Sequence, residues 1–197
     1  MHRIYAALIE IVAASVFMIP VFLIYDKAFF HNVKQTFVYI VFGSYLTAVL
    51  ALVGFPDITS LTVDFTVNMI PFVDMASDFV NAFLNVLLFI PFGFFVPIAW
   101  SGFRDRKKTI LAGVGATCII EIFQIFTFRT TDIDDIITNT VGTMIGYFVA
   151  KWITKDFTQH IAPNTKNRDL YVICGTVGII MFLLQPFVSS LLWEMVL

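Results

Sequence analysis

The chain has 197 residues, 59% of them hydrophobic and 13% charged, about half the charged share of an average soluble domain. That composition excludes a water-facing globular surface, and a net charge of −2 excludes a general nucleic-acid binder, because phosphate binding needs a clustered cationic surface. Twenty-three Phe and a mean hydropathy of +0.89 point to lipid, which accepts apolar side chains on every face of a helix.

Crossing roughly 30 Å of hydrocarbon takes about 20 residues of helix. The first apolar run is Ile4 to Tyr25, followed by a polar loop, Asp26 to Gln35, and a second run, Thr36 to Phe55. From Pro56 to Val80 the pattern changes. Asp57, Asp64, Asp74 and Asp78 interrupt short apolar pieces and Pro71 breaks any continuous helix, so this stretch reads as an amphipathic cap at one membrane face. Runs then follow at Asn81 to Trp100, Thr109 to Phe128, Ile136 to Ile153 and Leu170 to Trp193, separated by Ser101 to Lys108, by a short link after Phe128, and by Thr154 to Asp169. The expected fold is all-α: a single polytopic transmembrane domain over residues 1–197, with about six helices and a short outer cap.

Orientation follows from the distribution of Lys and Arg near helix ends. Ten of the twelve fall in the first, third and fifth loops, namely Lys27, Lys34, Arg104, Arg106, Lys107, Lys108, Lys151, Lys155, Lys166 and Arg168. With six spans those loops share the cytoplasmic side, both termini are outside, and only Arg3 and Arg129 stay on the outer face. A signal-peptide reading of the first run, suggested by Arg3 and the small residues Ala13, Ala14 and Ser15, is opposed by Glu10 within the apolar stretch.

Cys118 and Cys174 differ in expected depth by roughly 7 Å at 1.5 Å per residue, so they read as small apolar fillers rather than a disulfide. His2, His31 and His160 are scattered without metal-ligand spacing. Polar residues inside the spans are more informative, because an ionised carboxylate at a helix centre costs about 2.5 to 3.5 kcal/mol on insertion scales. Glu10, Asn81, Asn85, Glu121, Gln124, Asn139 and Gln185 all fall in the outer halves of their spans, and the inner halves are expected to hold no comparable set. Glu121 and Gln124 share a helix face at i,i+3, as do Asn81 with Asn85 and Asp135 with Asn139 at i,i+4. Three helices are therefore expected to converge on one polar site beneath the link Phe128-Arg129-Thr130-Thr131-Asp132-Ile133-Asp134-Asp135.

Taken with Asn68-Met69-Ile70-Pro71-Phe72, Asn85 through Phe89, Pro91, Gly93, Glu121, Gln124, Phe126, Arg129, Asp132, Asp134, Asp135, Asn139 and Gly142, the chain resembles the VanZ-like family of membrane proteins. The resemblance covers residues 36–155 as a core and is most specific from Arg129 to Gly142. Residues 1–35, with their extra N-terminal helix, and 156–197, with an extra C-terminal helix, look like additions. It implies a multi-pass protein of the bacterial plasma membrane with its functional face extracellular. It also implies a cell-envelope role associated with reduced susceptibility to teicoplanin-type glycopeptides and lipoglycopeptides, whose targets are cell-wall precursors outside the membrane.

These features also have packing readings. The asparagines serve equally as caps or interhelical hydrogen bonds, Gly142 and Gly146 as a small-xxx-small packing face, and Pro91 with Gly93 as a point where a neighbour approaches. Asp132, Asp134 and Asp135 also fit a solvated acidic first turn, which the helix macrodipole favours. Three functional classes fit. The favoured one is a non-catalytic binder or shield. Its outward pocket of Asn68, Asn85, Glu121, Gln124, Arg129, Asp132, Asp134, Asp135 and Asn139 takes a membrane lipid or a lipid-linked anionic precursor and needs no cofactor. The second is an enzyme on lipid-linked phosphates that recruits Mg²⁺ or Ca²⁺ through Glu121, Asp132 and Asp135. The third is a proton-coupled lipid transporter cycling Glu121 or Glu10.

Overall fold

The computed structural model describes residues 2–63, 66–68, 70–72, 78–127, 131–155, 157 and 165–196. Its elements in chain order are α1 (His2–Tyr25) running into a π turn (Asp26–Phe30), α2 (Val33–Val53), β1 (Val67–Asn68), α3 (Phe79–Ala99), a 3-10 turn (Ser101–Phe103), α4 (Arg106–Gln124), β2 (Thr131–Asp132) and α5 (Ile133–Ile153). The last helix is interrupted: α6 (Asn167–Ile179), a π turn (Ile180–Leu184) and α7 (Gln185–Val196). Each of the six apolar runs corresponds to one helical segment.

Among the described residues, four segments are long and apolar enough to cross a membrane: Tyr5–Phe30, Val33–Val53, Phe79–Ala99 and Asn167–Met195. The helices α4 and α5 fall short of the same measure. The reason is chemical, since α4 opens with three cations and carries Glu121, while α5 carries Asp134, Asp135, Asn139 and a series of threonines.

The chain divides into two compact units, Met1–Thr62 with Arg168–Leu197, and Val63–Asn167. In the first, α1 packs on α2 and on α7, burying Ala13, Ala14, Met18, Phe22, Tyr39, Phe42, Ile173 and Val177. The first loop is shorter than the sequence suggests. Asp26 Oδ1 accepts hydrogen bonds from the Asn32 amide (2.9 Å) and from Thr36 Oγ1 (2.7 Å), which closes the π turn. His31 then turns left-handed at φ 51, and Asn32 caps α2 through the amides of Lys34 and Gln35.

The break in the last helix has a covalent cause. Pro186 has no N–H to give the carbonyl four residues back, and the Phe182 carbonyl instead accepts the amide of Ile58 at 3.0 Å. The segment that docks there is stiffened by Asp57. Its carboxylate accepts Thr59 N (2.7 Å), Thr59 Oγ1 (2.5 Å) and Ser60 Oγ (2.7 Å). Partial burial pushes this carboxyl up, but hydrogen bonds from the side chains and backbone of Thr59 and Ser60 outweigh it and hold the group below its ordinary value. The expected amphipathic cap is thus a set of turns and one short strand among its described residues, because local carboxylates and Pro71 compete with helix formation.

In the second unit α3 and α5 run parallel at backbone contact. A Cβ on Gly142 would lie 2.2 Å from the Val86 carbonyl oxygen, one on Gly146 2.0 Å from that of Ile90, and one on Gly93 2.0 Å from that of Thr143. The helices can meet this closely only because these three residues lack side chains. Helix α4 packs antiparallel to α5, with Gly113 against the Thr143 side chain. At the end holding Trp100 and Arg104, Tyr147 donates its hydroxyl to the Arg104 carbonyl at 2.8 Å, and Asn167 Oδ1 accepts the Gly102 amide at 3.1 Å.

Candidate functional site

The polar residues of α4 and α5 form a seam within the second unit. Gly113, Thr117, Glu121 and Gln124 follow one stripe of α4 at helical spacing, and all four are buried. Facing them on α5 are Asn139 and Thr143. At the deeper level Asn139 donates its Nδ2 to Thr117 Oγ1 at 2.8 Å, and Thr143 Oγ1 bonds back to the Asn139 carbonyl at 2.9 Å. Asn139 is 3% exposed, and its Oδ1 is buried without a hydrogen-bond partner among the described residues.

One turn nearer the end of α4, Glu121 organises the chain that follows. Its Oε2 accepts the backbone amide of Asp132 at 2.9 Å, and its own carbonyl accepts Thr131 Oγ1 at 3.1 Å. The expected run to Phe128 stops at Gln124, where the Phe126 and Thr127 amides bond to Phe123 and Gln124 in a tightened last turn. β2 then pairs in parallel with β1, setting Val67 beside Thr131 and Asn68 beside Asp132. Hydropathy alone would not place Val67 and Asn68 here; the bridge does it.

Each described acidic residue of the link is used locally. Asp132 caps α5 by accepting the Asp134 amide at 2.9 Å. Asp134 is 3% exposed, which corrects the reading of a solvated turn, and its Oδ1 accepts the Phe72 amide at 2.7 Å. Asp135 Oδ1 accepts Asn85 Nδ2 at 2.6 Å, tying α5 to α3. Asn85 and Asn139 therefore make the interhelical bonds that their packing reading describes, while α3 itself is capped by Asp78 through the Asn81 amide at 3.0 Å.

The structure thus brings together Asn68, Asn85, Glu121, Gln124, Asp132, Asp134, Asp135 and Asn139 in one unit. Arg129 lies outside the described residues, and Glu10 and Gln185 belong to the other unit. Among the described residues no three His, Cys, Asp or Glu side chains are arranged to hold a metal ion, so Glu121, Asp132 and Asp135 are not gathered as a ligand set. Cys118 and Cys174 are free thiols.

A second buried polar set, in the first unit, is absent from the hydropathy reading. Tyr39 donates its hydroxyl to Asp169 Oδ2 at 2.7 Å, and Gln35 Nε2 reaches Tyr39 Oη at 2.7 Å and Asp169 Oδ2 at 3.4 Å. Asp169 is 5% exposed, and the exposed Arg168 lies 3.8 Å from its Oδ1. The residues assigned to the outer halves are thus not the only buried polar set among the described residues. Gln35 and Asp169, which the apolar runs leave in loops, each lie in a helix end that packs inward. The i,i+4 spacing of Gln35 and Tyr39 was the available signal.

Among known proteins, the sequence profile described as VanZ/LLP1 matches residues 37–154. The chain is similar to "Protein VanZ" of Enterococcus faecium, 32% identical over 122 residues that cover 60% of this chain and 68% of that protein. No solved structure matches the chain. Because that match spans more than half of its length and includes the whole α3 to α5 assembly, the protein belongs to the VanZ/LLP1 family.

Proposed function

We propose that this is a non-catalytic cell-envelope protein of the bacterial plasma membrane, in which the polar end of the second unit faces outward and binds or shields a lipid or lipid-linked anionic ligand. In this reading all six helical segments cross the membrane with both termini outside. Binding lowers susceptibility to teicoplanin-type antibiotics. Family membership supports the envelope role, and the VanZ relative supports the link to glycopeptides.

The observation that carries the reading is how the carboxylates are occupied. Glu121, Asp132 and Asp134 accept main-chain amides and Asp135 accepts Asn85, which is the work of a scaffold rather than of a reacting centre. They anchor the chain on the α5 side of the link, while Thr127 Oγ1 anchors the α4 side by bonding the Gln124 carbonyl at 2.9 Å. Arg129 stands two residues after Thr127 and three before Asp132. A guanidinium there offers a planar fork to phosphate or carboxylate that a lysine cannot reproduce.

Arg129→Lys is the test, with teicoplanin susceptibility and the mass spectrum of co-purifying lipids measured beside the detergent melting temperature. Loss of resistance and of the bound lipid at unchanged stability is expected. Wild-type resistance and lipid content at wild-type stability would remove the proposal. Orientation is checked separately: a cysteine at Lys107 should be labelled only from the cytoplasm and one at Thr130 only from outside.

A further inference from the structure

The second unit is electrically polarised along its helices. Glu121, Asp132, Asp134 and Asp135 occupy one end. The other carries Arg104, Arg106, Lys107, Lys108, Lys151, Lys155 and Lys166, with Asp105 as the one acidic residue described among them. Three tethers assemble this basic end from distant parts of the chain. Tyr147 holds the last turns of α5 to Arg104, Thr165 Oγ1 bonds the Ala99 carbonyl, and Asn167 bonds the Gly102 amide.

Arg106, Lys107 and Lys108 are exposed, fill the first turn of α4, and make no ion pair among the described residues. Cations in a first turn oppose the helix macrodipole, which favours negative charge there. The positive potential of the three side chains therefore adds to that of the helix N-terminus, offset by the one N-cap carboxylate, Asp105, which accepts the Lys108 amide at 3.1 Å. The same end borders exposed apolar side chains: Leu111, one turn below Lys107, is 67% exposed, and Trp152 and Ile153, beside Lys151, are 82% and 52% exposed. Apolar surface next to a cluster of cations places those cations at the level of lipid head groups. We propose that this end is a binding surface for anionic phospholipid head groups, distinct from the acidic end of the unit and filled from the leaflet that it faces.

A signal for membrane insertion would also use these cations, but it acts only while the chain inserts. A head-group surface acts on the finished protein. The test therefore uses purified full-length protein in nanodiscs made with phosphatidylglycerol or with phosphatidylcholine, followed by native mass spectrometry of retained lipid. Each cation near an anionic surface contributes about 1 kcal/mol, or roughly fivefold. Replacing Arg106, Lys107 and Lys108 together by Gln should cut the preference for phosphatidylglycerol by roughly tenfold to a hundredfold. Arg106→Lys should keep it.

Wild-type preference should also collapse between about 0.1 M and about 1 M salt, as the screening length falls from roughly 10 Å to roughly 3 Å. A triple variant that retains phosphatidylglycerol as well as the wild type would overturn the proposal. So would a wild-type preference that survives about 1 M salt, a measurement that holds even where the triple variant fails to fold.

Discussion

Gly142→Ala tests whether the backbone contact between α3 and α5 holds the candidate site in register. The new Cβ would stand 2.2 Å from the Val86 carbonyl oxygen, where ordinary contact begins at 3.4 Å. The helices must separate by the difference, about 1.2 Å, because a backbone carbonyl cannot rotate aside as a side chain can. The Asn85 to Asp135 bond joins the same two helices at 2.6 Å. An equal opening there takes it to about 3.8 Å, past hydrogen-bonding range. Overpacking costs about 1 to 3 kcal/mol, and losing a bond to a carboxylate adds about 1.5 to 3 kcal/mol. A total of about 2.5 to 6 kcal/mol corresponds to a fall in melting temperature of roughly 5 to 24 °C for a chain of this length.

The internal control is the same substitution at Gly115 of α4, where a Cβ meets nothing within 4 Å and Ala is worth up to about 1 kcal/mol of helix propensity. Melting temperature in detergent is the assay. Asp135→Ala supplies a second readout, since it should cost less in the Gly142→Ala background than in the wild type. If Gly142→Ala melts no lower than Gly115→Ala, the argument from backbone contact is wrong.

Glu121→Ala should destabilise by about 1 to 3 kcal/mol by leaving the Asp132 amide without its acceptor, whereas Glu121→Gln keeps an acceptor oxygen and should lose less; equal melting of the two variants contradicts this. Tyr39→Phe removes the 2.7 Å donor to buried Asp169 and should cost about 1.5 to 3 kcal/mol, read as earlier thermal release of the C-terminal helix in hydrogen exchange. Asp57 is held below its ordinary value of 3.8, so its contribution is complete above that value and is lost as pH falls through the lower folded value. Thr59→Ala should therefore flatten the acid side of the stability profile and leave neutral pH least altered in slope; an unchanged acid limb would show that the Asp57 turn contributes nothing.

How far the sequence reaches is clearest at Glu121. Helical spacing alone puts it on one face with Gln124, and Asp135 on one face with Asn139, because the period of a helix is a local property of the backbone. Apolar runs likewise locate the helices, since lipid and protein interior both demand apolar surface over a fixed length. The small residues Gly142 and Gly146 announce a packing face for the same local reason. What hydropathy cannot carry is the partner across the gap. That the Asp132 amide meets Glu121, that Asp134 reaches back to Phe72, and that Gln35 and Tyr39 close on Asp169 depends on chain segments up to 134 residues apart. Polar residues at helix ends look the same in a loop as in a buried contact. Only when helices pack do buried donors and acceptors have to find partners, and that closure, set in the second unit by three glycines and one short parallel bridge, is decided by the tertiary structure.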